Sequence, residues 1–79
     1  MASKVTVKIL GGRYKISSQD YTDEELLALA EKLDKRMHKT ADELRLFDDL
    51  QVSVLTALQL SEEYEKLQKD YDELLTLLD

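Results

Sequence analysis

His38 is the one histidine in the chain, and so the one side chain that would ordinarily change charge near neutral pH. The sequence gives it nothing to work with. There is no cysteine, which removes a thiolate nucleophile, a disulfide framework and a Cys-based zinc site together. Glu24-Glu25, Asp48-Asp49 and Glu62-Glu63 are adjacent acidic pairs, but neighbours on a helix point in different directions, so none forms a carboxylate dyad. Gly11-Gly12 lacks the spaced glycines and following helix of a nucleotide-binding loop, and a tight turn explains it better. His38 itself reads as a residue near the end of a first helix, where the dipole favours positive charge. With no nucleophile–base pair and no set of metal or cofactor ligands, the expectation is a protein that is not an enzyme.

The chemistry left is recognition. A net charge of -6, from 17 acidic and 11 basic side chains, repels phosphate backbones and anionic lipid, so neither nucleic acid nor a membrane is the expected partner. The balance is uneven, because Lys4, Lys8, Arg13 and Lys15 make the N-terminal segment basic. Those cations are either ordinary solvated strand positions or a docking patch for an acidic partner. Tyr64 and Tyr71, at heptad spacing, fit a helix interface better than a stack on a base or cofactor.

These residues must be positioned by few elements, since 79 residues allow one compact unit plus an extension. Charged residues make up 35% of the chain, with no proline and two glycines, a composition that favours helix. Val5, Val7 and Ile9 alternate with Thr6 and Lys8 at the period of a half-buried strand. After Gly11-Gly12, whose freedom at positive φ suits a primed turn, Tyr14 and Ile16 resume the alternation, which predicts a hairpin with strands at about 4–10 and 13–17. A lone hairpin is marginal in water and needs a cover. Thr22 followed by Glu25 predicts a capping box, with Tyr21 and Leu26 placed for a hydrophobic staple. From there Leu26, Leu29, Ala30, Leu33 and Met37 form one apolar stripe to lie on the hairpin, in a helix of about 22–40. Leu44, Leu46 and Phe47 then suggest a tethered loop or short turn before Asp48 or Asp49 caps a second helix that runs to the end.

That helix is about 45 Å long at 1.5 Å per residue, more than so small a head can cover. Leu60, Tyr64, Leu67, Tyr71, Leu74 and Leu78 recur at alternating steps of four and three, the heptad spacing of a coiled coil. Extended backwards, the seam takes in Ala57, Ser53 and Leu50, while Val54, Leu55 and Leu58 form a second apolar face expected to pack on the head. Leu74, Leu75, Leu77 and Leu78 would be an exposed cluster in a monomer, so a partner helix is expected to cover them. The expected fold is thus α+β: a head over residues 1–47, and a helix over 48–79 that packs on it and then coils. No run is apolar enough for a signal peptide or a bilayer span, and a soluble cytoplasmic protein is the reading.

The order of these parts, with LDKRM at 33–37 and VLTALQLSEEY at 54–64 leading into the coil, resembles the ZapA family of bacterial cell-division proteins, in a short, firmicute-like form. The matching pieces are Val5, Val7, Ile9 and Gly11, then Leu33-Asp34 with Arg36-Met37, then Ala57-Leu58. The resemblance implies a head that dimerises, coils that can pair dimers into antiparallel tetramers, and an assembly that cross-links filaments of the tubulin-like protein FtsZ at mid-cell. It implies FtsZ contact on the head near the hairpin turn and the inter-helix loop, matching Gly12, Arg13, Lys15 and Arg45 here. The turn position that is basic in some relatives is Gly12, the usual Asn near the coil entrance is Gln59, and the coil is shorter than in proteobacterial relatives. The oligomer interface is expected at Leu50, Val54, Ala57, Leu60, Tyr64, Leu67, Tyr71, Leu74 and Leu78. A coiled-coil adaptor unrelated to FtsZ is the alternative.

Overall fold

The computed structural model describes residues 4–78. Its order is β1 (Val5–Ile9), β2 (Gly12–Ile16), α1 (Asp23–Leu44) and α2 (Asp49–Leu77). β1 and β2 pair antiparallel, with Val5 opposite Ile16, Val7 opposite Tyr14 and Lys8 opposite Arg13. The apolar alternation therefore lands on one face, and Val7 at its centre is buried.

The turn sits one residue earlier than the glycine pair predicts. Leu10 (φ 50°) and Gly11 (φ 79°) hold its two positive-φ positions, while Gly12 is already in the strand opposite Ile9. Two contacts explain this choice. Leu10 N–H donates to Asp34 Oδ1 of α1 at 2.8 Å, which holds a leucine in a conformation it would otherwise avoid. A side chain on Gly12 would meet the Tyr14 hydroxyl at 2.8 Å, so the missing Cβ makes room for that ring.

α1 opens on the expected capping box: Glu25 N–H donates to Thr22 Oγ1 at 3.1 Å, and Thr22 N–H to Glu25 Oε1 at 2.9 Å. Tyr21 is half exposed and Leu26 buried. The helix runs past 40 to Leu44, so the predicted loop shrinks to a tight connection. It stops because Arg45 adopts the left-handed conformation (φ 54°), with its own N–H and that of Leu46, at 2.9 Å, both directed to the Ala41 carbonyl. Glycine or asparagine usually takes that position, and an arginine there gives the sequence no stop signal. His38 accordingly lies well inside the helix, not in its last turn; its Nδ1 donates to the Asp34 carbonyl at 2.8 Å.

Asp48 caps α2, with Leu50 N–H donating to its Oδ1 at 2.9 Å. The near half packs on α1, but not through Val54 and Leu58, which stay exposed; Leu55 alone of that face is half-buried. Val52 and Thr56, 2% and 1% exposed, are the contact instead. Around them, buried Thr40 shares its hydroxyl proton between the Arg36 carbonyl and Gln59 Oε1, both at 3.0 Å, and Arg36 forms an ion pair with Glu63. Beyond Glu63 every described residue of α2 is exposed.

The result is a flat, two-armed particle of 47 × 40 × 15 Å. Its radius of gyration is 15.8 Å, against about 12 Å for a compact chain of this length. Among the described residues the buried apolar core is Val7, Leu26, Ala30, Met37 and Val52, and many more large apolar side chains are exposed than buried. So small a core supports little stability alone, which directs attention to the uncovered surfaces.

Candidate functional site

Two surfaces gather the residues singled out from the sequence. The first is an apolar groove of about 660 Å³ enclosed by the hairpin, α1 and α2. Its hairpin wall includes Ile9, Tyr14 and Ile16, and its far wall is Ser53, Ala57 and Leu60. The last three are seam positions of the predicted coil. From Leu60 the seam leaves the head along the exposed arm as Tyr64, Leu67, Tyr71, Leu74 and Leu78, each more than half exposed beyond Leu60. Groove and seam are thus one continuous apolar track. At 100° per residue, it lies roughly a quarter turn around α2 from Val52 and Thr56, so packing on α1 leaves it open. Leu50 joins it at the start of the helix, 71% exposed, whereas Val54 is displaced by roughly a quarter turn and sits with Leu58 on a third face.

Thr56 adds a polar detail to the groove. Its Oγ1 is buried without a hydrogen-bond partner, the one such side-chain atom among the described residues. Elsewhere Thr40, Ser53, Ser61 and Thr76 each donate to the carbonyl four residues earlier.

The second surface is the outer face of the hairpin. Strand alternation puts Lys8, Arg13 and Lys15 together on the side away from Val7, and the register sets Lys8 directly opposite Arg13. Like charges at that spacing repel. Among the described residues no carboxylate forms an ion pair with Lys4, Lys8, Arg13 or Lys15; the four pairs present all join α1 residues to α1 or α2. Gly12 belongs to the other face, with Tyr14 and Ile16. Arg45 stands apart too, about 16 Å further along α1 than Asp34, which anchors the turn, at 1.5 Å per residue. Beside it Phe47 is 97% exposed, a position that a tethered loop would have buried.

No group of three or more His, Asp or Glu among the described residues could hold a metal ion. None of their helices is long and apolar enough to cross a membrane.

Comparison with known proteins agrees with this architecture. The family described as "Cell division protein ZapA" matches residues 5–79. A cell division protein ZapA of Geobacillus thermodenitrificans is 31% identical over 72 residues, covering 91% of this chain and 78% of that one. One from Shouchella clausii is 30% identical over 69 residues, covering 87% of each. A solved structure, a ZapA mutant dimer from Geobacillus stearothermophilus, superposes with a TM-score of 0.75 at 29% identity, over 99% of this chain and 90% of that one.

Proposed function

This chain belongs to the ZapA family of cell division proteins, and on that premise we propose that it is a non-enzymatic cross-linker that binds FtsZ filaments and promotes Z-ring assembly at mid-cell. The observation that carries the reading is the continuous track from the head groove through Leu60 to Leu78, which the described residues leave uncovered. A second copy covers it: heads meet over the groove, and far arms pair as a coiled coil, giving a dimer or a dimer of dimers. The relative solved as a dimer supports the first of these.

Each assembled particle then carries several copies of the outer hairpin face. One face, with Arg13 and Lys15 and their neighbour Lys8, makes a weak contact with an acidic filament surface; Arg45 makes a separate contact at the end of α1. Two faces on one particle convert the second contact into an intramolecular event and bridge neighbouring filaments. The cations steer encounter, so raising salt from 50 to 300 mM weakens bundling, and salt-independent co-sedimentation would count against the reading.

The test is pelleting of FtsZ with GTP, with and without the chain, imaged by negative stain. Wild-type chain is expected to bundle filaments, and a Leu67→Asp, Leu74→Asp variant to decorate single filaments without bundling. Absence of co-pelleting at low salt would leave an adaptor that self-associates without FtsZ.

A further inference from the structure

The near half of α2 is free of charge on every side. No charged residue occurs from Leu50 to Ser61, although 35% of the chain is charged. A helix without a charged face is one that is buried all round. Here one side alone is covered: Val52 and Thr56 are buried against α1, while Ser53, Ala57 and Leu60 form the open wall of the groove. Val54 and Leu58 make a third side, each more than half exposed and roughly half a turn from Val52 and Thr56 at 100° per residue. Leu50 and, beyond the N-cap, the almost fully exposed Phe47 continue that ridge towards the connection between the helices.

Ridge and groove are both unfinished, and each has the shape the other lacks. The groove is open and apolar, and its hairpin wall presents Ile9, Tyr14 and Ile16, with Tyr14 more than half exposed. A helix enters such a groove through apolar side chains three and four residues apart, which is the spacing of Phe47, Leu50, Val54 and Leu58. Ser53 and Ala57 are small, so a second helix can come close along the α2 wall. The ridge lies roughly a third of a turn from its own groove wall, so no chain fills its own groove.

We propose that the ridge of one copy lies in the groove of a second, against the hairpin, and that the second copy's ridge returns the contact. One twofold arrangement then covers both surfaces, as a self-complementary interface requires. A foreign partner in the groove would leave the ridge bare. The element that covers the groove is thus α2 of the second copy, which uses two faces: Ser53 and Ala57 meet the partner's α2, and Val54 and Leu58 meet the partner's hairpin. The hairpin cations point away from the groove, on the other side of the strands, and stay open to a filament. The inference rests on the proposed function for one point only, that heads meet over the groove.

The chain has no cysteine, so introduced thiols are its only ones. Full-length Tyr14→Cys and Leu58→Cys chains, mixed and treated with a short bis-maleimide, are expected to give a product of doubled mass well beyond what either gives alone. Leu27→Cys, on α1 outside the groove, should give none when mixed with Leu58→Cys. In sedimentation velocity Leu58→Asp should raise the dimer dissociation constant at least about thirtyfold, because association buries its carboxylate against the hairpin. Leu27→Asp should leave that constant unchanged. Circular dichroism separates lost association from lost folding, since Leu58 is exposed in a single chain. If Leu58→Asp does not fold, the cysteine pair decides alone. A strong product from Leu58→Cys by itself, which sets ridge against ridge, would overturn the proposal. So would a Tyr14→Cys mixture no better than the Leu27→Cys one, or an unchanged constant for folded Leu58→Asp. FtsZ pelleting keeps the two readings apart. If the wild type bundles filaments and the mixed product fails to form, the ridge is wrong and the cross-linker stands. If the wild type never pellets yet the mixed product forms, the reverse holds.

Discussion

The two halves of α2 share one helix and solve opposite problems. From Asp49 to Glu63 the helix rests on α1, and what it buries is modest: Val52, Thr56, part of Leu55 and the amide of Gln59. From Tyr64 to Leu77 it rests on none of the other described residues, although Tyr64, Leu67, Tyr71, Leu74, Leu75 and Leu77 all lie there. Small β-branched side chains serve the intramolecular contact, where two helices of one chain approach closely. The large apolar ones are held out for a surface that the described residues do not supply. An isolated helix as short as the far half is marginal in water, so its order depends on the near half behind it and on a partner beside it.

The sharpest way to break that contrast is to charge the far seam. Leu67→Asp with Leu74→Asp places two carboxylates where a partner helix would desolvate them, and coil association should weaken by at least about a hundredfold. Sedimentation velocity is expected to lose the heaviest species, and circular dichroism to show less helix, while the hairpin–α1 unit still folds. An unchanged mass would mean that the exposed leucines serve some other purpose. Second in size is Val52→Ala, which removes two buried methyl groups from the near-half contact. A loss of about 2 kcal/mol is expected in urea unfolding at fixed protein concentration. If the loss instead matched that of an exposed position such as Val54→Ala in dissociated chains, the two halves would be energetically alike.

Much of this arrangement can be read from the chain itself, and the failures have a common cause. The hairpin, both helices, the Thr22–Glu25 capping box and the Asp48 cap follow local rules, and all appear where local patterns predict. The turn and the end of α1 do not, because Leu10 and Arg45 take left-handed conformations usually left to glycine or asparagine. Asp34 compensates the first from 24 residues away, and the Ala41 carbonyl secures the second; neither bond leaves a mark in a window of sequence. The face joining α2 to α1 is hidden for another reason. Thr56 does not count as apolar, so Val52–Thr56 is no stripe, and the more hydrophobic Val54 and Leu58 draw attention to the wrong side. Alternation did bring out the hairpin cations.

Third, Thr56→Val tests whether the near half is complete in a single chain. The hydroxyl is 1% exposed and unpartnered, so replacing it with a methyl group removes an uncompensated buried dipole. Stability should rise by about 1 kcal/mol. A fall of that size, seen only at concentrations where the protein associates, would mean that a second copy supplies the missing bond across the groove. The near half would then depend on its partner for a polar contact too, and the contrast would shrink.

The smallest expected effect lies at the boundary between the halves. Arg36 and Glu63 form a two-pronged ion pair at the last point where α2 touches α1, with about a third and a half of each side chain exposed. Partly exposed pairs contribute little, because solvent screens them and two long side chains lose freedom to meet. Arg36→Ala should therefore cost below about 1 kcal/mol in urea unfolding, less still in 1 M salt, with no change in oligomer mass. The sharper readout is local. Amide exchange from Tyr64 onward should quicken if the pair holds the far arm to the direction of the near half, and should stay as it was if helical continuity alone carries order across Glu63.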